Sequence, residues 1–241
     1  MPKWKVTYRV YQHTRVKHKI PFFNEEVYPV YTTVVYGKKA LNFKSRVFDH
    51  LLHQPGYNLP ARLANIENIM QHESMVTGFI VESLGDHFTA EEFKQQYAFY
   101  TTDLLQQLEH QVKQFLIGFF NQECIPSIAH LISHTSEHLA ADIIMKDLEK
   151  SLSPLLLRKI RSDPFFKETP YLPLKRFYES VTIDMPVLMA FNFCQQSFCT
   201  ALLFFLQKEL PEFASYNFLH WIQSILSINN YTLSHKNKLL Y

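Results

Sequence analysis

Residues 27–47 read VYPVYTTVVYGKKALNFKSRV, and this stretch predicts the fold of the N-terminal part of the chain. β-Branched and aromatic residues alternate with polar ones on both sides of a Gly-Lys-Lys segment, which is typical of a β-hairpin. The two predicted strands cover 27–36 and 40–48. Residues 3–12 alternate in the same way, so the sequence predicts a small three-stranded antiparallel sheet. Because three strands need cover on one face, we expect downstream helices to pack against it.

The remainder of the chain has the periodicity of helices. The segment HQPGYNLP at 53–60 interrupts the strand pattern, and apolar residues then recur at helical spacing. One predicted N-terminus is a capping box formed by Thr89 and Glu92. The predicted helices cover 60–84, 89–121, 126–150 and 153–161, with two or three more over 174–229.

These elements predict an α+β fold that is predominantly α-helical. A small N-terminal three-stranded antiparallel β-sheet is followed by a helical bundle. The sheet module is expected over 1–55 and the all-helical domain over 60–241. A proline-containing connector at 163–173 marks a predicted subdivision of the helical domain.

Positive charge is concentrated near the N-terminus. Residues 1–50 contain ten Lys and Arg against three acidic residues, a balance of +7, whereas the whole 241-residue chain has a net charge of +2. A basic module on a mildly acidic body is typical of proteins that bind nucleic acid or another anionic surface. A β-ribbon fits the major groove of duplex DNA. The predicted DNA-binding residues are Lys5, Arg9, Lys38, Lys39, Lys44 and Arg46, with Lys44 and Arg46 expected on one strand face together with Lys5 and Arg9.

The sequence predicts a cytoplasmic protein with no membrane partner. Cys124, Cys194 and Cys199 are odd in number and lack metal-binding spacing, which favours a reducing compartment. The first ten residues contain no apolar signal-peptide core. The most apolar window, 186–206, contains polar residues near its middle, so it predicts a buried helix and not a membrane span.

The first half of the chain resembles a known family. The hairpin text at 27–47, the Pro/Gly break after it and the segments LANIENIM and FTAEEFKQQY together resemble the N-terminal half of tyrosine recombinases, the phage-type integrases of mobile elements. The resemblance covers roughly residues 3–120. In that family the small sheet is an arm-type DNA-binding domain, and the helices after it form the core-binding domain. The resemblance therefore implies a DNA-binding sheet followed by helices.

The catalytic half of the family is not recognisable in this chain. The family places an arginine within a His-x-x-Arg-His signature, whereas the similar segment here contains Glu137 between His134 and His138. A carboxylate there would repel the scissile phosphate, whose transition state requires cations. Tyr241 has the wrong spacing for the family's nucleophile. The sequence therefore favours a non-catalytic accessory or regulatory DNA-binding protein of a mobile element.

Two further hypotheses belong to other classes of function. His134, Glu137 and His138 match an inverted zinc-peptidase pattern, in which two imidazoles bind Zn²⁺ and the carboxylate polarises water, and His130 extends the same helix face. No third ligand is evident, so no metal and no other cofactor is predicted, and glycine-rich phosphate-binding motifs are absent from the sequence. The third hypothesis is a helical scaffold whose basic sheet binds protein or RNA. The helical domain is expected to support homo-oligomerisation or contact with a protein partner.

Overall fold

The computed structural model describes residues 5–15, 17–19, 26–53, 66–134, 139–181 and 187–210. The chain divides into two compact units. The first unit comprises Met1–Asp103 and Val181–Asn192, and the second comprises Leu104–Ser180 and Phe193–Tyr241.

The secondary structure confirms an α+β class that is mainly helical. The strands are β1 (Thr7–Gln12), β2 (His18–Lys19), β3 (Glu26–Val27), β4 (Val30–Tyr36) and β5 (Lys39–Lys44). The helices are α1 (Arg46–His53), α2 (Ile66–Leu84), α3 (Ala90–Tyr100), α4 (Leu104–Gln122), α5 (Pro126–His134), α6 (Ala141–Ser151), α7 (Pro154–Ser162), α8 (Pro164–Glu168), α9 (Tyr171–Val181) and α10 (Gln196–Glu209). Two 3₁₀ helices lie at Gly85–His87 and Ala190–Cys194.

The predicted three-stranded antiparallel sheet is confirmed. Its order is β1-β4-β5, with β4 in the centre. Gly37 adopts a left-handed φ of 59° in the tight turn between β4 and β5, a conformation that glycine reaches without steric cost. The predicted 27–36 strand is divided in two at Tyr28 and Pro29, and its first part pairs with β2 in a separate two-stranded ribbon.

One face of the sheet packs against helices of the first unit, as expected from the sequence. Val30, Thr32 and Val34 on the central strand are fully buried on this inner face. Tyr8 also lies on this side, where the absence of a side chain at Gly78 on α2 makes room for it. A Cβ atom there would lie 2.6 Å from the Tyr8 hydroxyl. The glycine therefore allows close contact between helix and sheet.

The second strand of the hairpin is shorter than the sequence predicted. The prediction extended it to residue 48, but β5 ends at Lys44 and α1 begins at Arg46. Ser45 ends the strand because its hydroxyl accepts a hydrogen bond of 3.1 Å from the Phe48 amide, which caps the new helix. The prediction that Lys44 and Arg46 share a strand face is therefore wrong.

The predicted helix over 89–121 is in fact two helices, α3 and α4. The capping box at its start is confirmed, since the Thr89 hydroxyl accepts from the Glu92 amide at 3.2 Å. The interruption falls at Thr101 and Thr102, whose hydroxyls donate to carbonyls four residues earlier, at 2.5 and 3.0 Å. Such side-chain hydrogen bonds compete with the helical backbone pattern.

Other predicted boundaries have mixed outcomes. The helix predicted over 126–150 is divided into α5 and α6, with residues 139–140 outside both helices. The helix predicted over 153–161 is confirmed as α7. The connector predicted at 163–173 contains the short helix α8. The domain boundary predicted between 55 and 60 lies outside the described residues.

The second unit is built from helices in its described part. Helix α4 contributes a buried stripe at spacings of three and four residues: Leu104, Leu105, Leu108, Val112, Leu116 and Phe120. Aromatic side chains add to this core, with the Phe115 and Phe165 rings stacked at 4.8 Å. Across the ranges that the structure describes, no helix combines the length and apolarity needed to cross a bilayer.

Candidate nucleic-acid interface

The second face of the sheet, opposite the helices, is the candidate site. The strand register places residues 7, 9 and 11 of β1 beside residues 35, 33 and 31 of β4, which in turn pair with residues 40, 42 and 44 of β5. Alternation puts all nine side chains on one side of the sheet. We call this surface the open face: Thr7, Arg9, Tyr11, Tyr31, Thr33, Val35, Ala40, Asn42 and Lys44. Each of the nine is exposed or half-buried.

One row of the open face is polar. Arg9, Thr33 and Asn42 lie side by side across the three strands. The Thr33 hydroxyl donates to Asn42 Oδ1 at 2.6 Å, which leaves the amide nitrogen of Asn42 available as a donor. The Arg9 guanidinium lies 5.8 Å from the centre of the Tyr11 ring, within cation–π range. This row therefore offers hydrogen-bond donors of the kinds that contact phosphates and base edges.

The neighbouring row is aromatic. Tyr11 and Tyr31 face each other across β1 and β4, with ring centres 6.2 Å apart and planes tilted by 26°. The His13 ring extends this group, with its centre 5.3 Å from that of Tyr31. Half-buried rings on an open sheet provide flat apolar surface beside cationic groups, an arrangement that suits sugars and bases.

Lys44 completes the aromatic row but has an intramolecular partner. Its ammonium lies 2.5 Å from Asp49 Oδ1 on α1 and 5.5 Å from the centre of the Phe48 ring. The two charged side chains are 25% and 38% exposed, so the ion pair is partly solvated. Asp49 therefore competes with any external anion for this lysine.

The remaining basic residues predicted to bind DNA occupy different places. Lys38 in the turn and Lys39 at the start of β5 are exposed. Lys5 is also exposed. It lies two residues before Thr7, the first residue of β1, which pairs with Val35 of β4 close to this turn. These three lysines therefore lie toward the same end of the sheet.

Arg46 does not belong to the open face, which corrects the sequence prediction. It is the first residue of α1, and its guanidinium donates to the Ala98 carbonyl at 3.0 Å. Because β5 ends at Lys44 and α1 begins at Arg46, strand alternation does not apply to Arg46. Of the six predicted residues, Arg9 and Lys44 lie on the open face, and Lys5, Lys38 and Lys39 lie toward one end of the sheet.

A buried carboxylate fixes the sheet to the helices beneath the open face. Glu73 on α2 is fully buried and accepts three hydroxyl hydrogen bonds. Thr32 of β4 donates to Oε1 at 3.1 Å, Ser45 donates to Oε2 at 2.6 Å, and Tyr97 of α3 donates to Oε1 at 2.5 Å. The Tyr97 hydroxyl also accepts from the Arg46 amide at 3.0 Å. The Glu73 network, as we call these residues, joins four elements at the point where β5 ends.

Burial governs the ionisation of this network. Burial raises the pKa of Glu73, and the hydroxyl hydrogen bonds from Ser45, Tyr97 and Thr32 act in the opposite direction. The pKa of Tyr97 is also well above its usual range, because of burial and then the neighbouring Glu73 carboxylate. Tyr97 therefore remains a donor throughout the ordinary pH range.

Sequence reasoning missed the Glu73 network entirely. Glu73 lies in the predicted helical segment IENIMQHESM, and a charged residue in such a segment is usually exposed to solvent. The sequence signal was the position of Glu73 on an apolar helix face. Ile69, Val76 and Ile80 lie on the same face, and all three are fully buried. A carboxylate in an apolar stripe requires hydrogen-bond donors, which the sequence alone could not locate.

The residues of the zinc hypothesis are only partly described. His134 is exposed at the end of α5, whereas Glu137 and His138 lie outside the described residues. Within the described ranges, no group of three or more His, Cys, Asp or Glu side chains is arranged to hold a metal ion. All three cysteines are free thiols.

Comparisons with known proteins give no relative from which function can be transferred. No protein-family model matches the chain, and no curated protein and no solved structure shows significant similarity to it. The resemblance to tyrosine recombinases therefore stays a prediction.

Proposed function

We propose that the chain is a non-catalytic DNA-binding protein whose open face contacts the nucleic acid. The observation that carries the proposal is the register of the sheet, which brings Arg9, Asn42 and Lys44 onto one accessible surface. The proposal also uses the excess of positive charge in residues 1–50. Charge draws the polyanion to the sheet, and the donors of the open face contact its phosphates and base edges.

The dimensions of a sheet favour the major groove of a duplex. A β-ribbon or small sheet fits this groove, where amide and guanidinium groups distinguish base pairs. In the proposed complex, Arg9 and Asn42 approach base edges from the polar row. The lysines at the turn end, Lys38 and Lys39, contact phosphates at the groove margin. An accessory or regulatory role at a mobile element, in the cytoplasm, is proposed from the resemblance described above, with the helical second unit as the site for a protein partner or a second copy.

A pair of matched double variants tests the proposal. Arg9→Gln with Lys44→Gln removes two charges from the open face, whereas Lys94→Gln with Lys167→Gln removes two from exposed helical positions. Loss of a phosphate or base contact costs about 1–3 kcal/mol, so the first variant should bind a mixed-sequence duplex at least tenfold more weakly. Its salt dependence should also fall, because a variant with two fewer positive charges at the interface displaces fewer counterions from the duplex. The helical variant should bind like the wild type.

Fluorescence anisotropy at two salt concentrations measures both quantities, with circular dichroism as the control for folding. Equal weakening by the two variants would mean that net charge matters and the open face does not. A wild type that shows no salt-sensitive binding at micromolar concentration would overturn the proposal. If the protein binds single strands more tightly than duplexes, the aromatic row would be the main contact surface in place of the polar row.

A further inference from the structure

We propose that His130 and His134 of α5 form a two-imidazole binding site for a divalent first-row transition metal ion. The site lies in the second unit, and the proposal is independent of DNA binding. It also differs from the zinc hypothesis of the sequence, in which His134 and His138 were the ligands and His130 only extended their helix face.

The helix brings the two imidazoles together. Residues four apart lie on the same face of a helix, one turn above the other. The rings of His130 and His134 are in contact, with centres 3.9 Å apart and planes tilted by 38°. Both side chains are exposed, so an ion can reach them from solvent. The same spacing supplies two zinc ligands from a single helix in known metal sites.

Hydrogen bonds set the tautomer of His134 in the form that binds metal. Its Nδ1 lies 2.9 Å from the His130 carbonyl oxygen, which can only accept, so Nδ1 carries the proton. The Ser133 hydroxyl donates to the same carbonyl at 2.8 Å and thus faces Nδ1 with a lone pair, at 2.9 Å. The neutral imidazole therefore has an unprotonated Nε2. A ring N–H held by a backbone carbonyl is the usual support of a metal-binding histidine.

His130 supplies the second nitrogen. Among the described residues, neither of its ring nitrogens has a hydrogen-bond partner, and its side chain is exposed. Zn–N bonds are about 2.0–2.1 Å long, so in the proposed site the exposed His130 ring turns about its side-chain torsions to bring one nitrogen to an ion bound at His134 Nε2.

The ligand type defines the ions that the site accepts. Imidazole suits copper, nickel and zinc, and the order of affinity for a nitrogen site places Cu²⁺ above Ni²⁺ and Zn²⁺. Magnesium prefers oxygen ligands and should not compete. With two protein ligands, the other coordination positions are open to water or to a further ligand.

The test is calorimetric titration of the full chain with Cu²⁺ or Ni²⁺. The chain contains twelve histidines, so the result depends on matched variants. His130→Ala and His134→Ala should each lower the affinity of the tightest site at least tenfold, whereas His87→Ala, at another exposed histidine, should leave it unchanged. Electron paramagnetic resonance of the Cu²⁺ complex should show two coordinated nitrogens in the wild type and fewer in either α5 variant.

Two outcomes would overturn the proposal. In the first, the wild type and the double His130→Ala, His134→Ala variant bind the ion with the same affinity. In the second, His87→Ala weakens binding as much as the α5 variants do. Circular dichroism shows whether each variant retains its helices, and because both side chains are exposed we expect unchanged spectra.

Discussion

Replacing Tyr97 with Phe tests the Glu73 network most cleanly. The change removes one oxygen atom and keeps the ring, which packs edge-on against Phe43 at 4.6 Å and stacks on Phe93 at 5.9 Å. The lost hydroxyl donates to Glu73 at 2.5 Å and accepts from the Arg46 amide at 3.0 Å. The variant therefore removes two hydrogen bonds without creating a large cavity.

The expected cost follows from these two contacts. A hydrogen bond to a charged group contributes about 1.5–3 kcal/mol, and a neutral one contributes about 1 kcal/mol. Glu73 retains the hydroxyls of Thr32 and Ser45, so its carboxylate remains partly satisfied. We expect Tyr97→Phe to lower the free energy of unfolding of the first unit by about 2–4 kcal/mol.

Hydrogen exchange followed by mass spectrometry measures this loss of unfolding free energy through the exchange rates of peptides from α2 and β4. When closing is faster than exchange, a loss of 2–4 kcal/mol corresponds to exchange that is roughly 30- to 1000-fold faster. Tyr36→Phe is the matched control, because its ring packs on Phe88 at 5.1 Å and its hydroxyl has no hydrogen-bond partner among the described residues. If the two variants exchange at the same rate, the hydroxyl network does not stabilise the unit and the reasoning is refuted.

Three further predictions follow from the charges and thiols. Asp49→Asn removes the carboxylate that competes for Lys44, so duplex binding should tighten and its salt dependence should steepen; unchanged anisotropy titrations would contradict this. Because burial raises the pKa of Glu73, this carboxyl stabilises the fold below about pH 4.5 and loses that contribution as the pH rises through the folded pKa. The stability of wild type relative to Glu73→Gln should therefore fall with rising pH in urea titrations, and a constant difference would count against a buried titrating group. Burial raises the pKa of the Cys194 thiol to about 12, so at pH 8 iodoacetamide should modify exposed Cys124 much faster, and equal rates by peptide mass spectrometry would be inconsistent with that burial.

Local patterns in the sequence were sufficient to predict the sheet. Alternation in β4 and β5 and the Gly-Lys turn depend on neighbouring residues, so these strands and their antiparallel pairing could be predicted. The end of β5 could not, because Ser45 can continue a strand or cap a helix. In the structure the Ser45 hydroxyl caps the helix by accepting from the Phe48 amide, and it also donates to Glu73, which lies 28 residues away in sequence.

The residues of the candidate site also fall into those that the sequence placed correctly and those that it did not. Arg9 and Lys44 could be assigned to one face because alternation within each strand is a local property. Arg46 was assigned to that face in error, since the prediction carried the strand alternation past Ser45. The contact between Lys44 and Asp49 also depends on α1, which the sequence pattern did not reveal. The start of α1 at Arg46 therefore determined which of the predicted residues share a surface.

Photo-crosslinking from the open face tests the central proposal most directly. A benzoylphenylalanine placed at Asn42, in the middle of the exposed polar row, should crosslink to a bound duplex on irradiation. The same group at Glu82, exposed on α2, should give no crosslink. Crosslinks at Asn42 alone are the predicted result. Crosslinks at Glu82 and none at Asn42, under conditions in which both variants are bound to the duplex, would contradict the proposal that the open face contacts DNA.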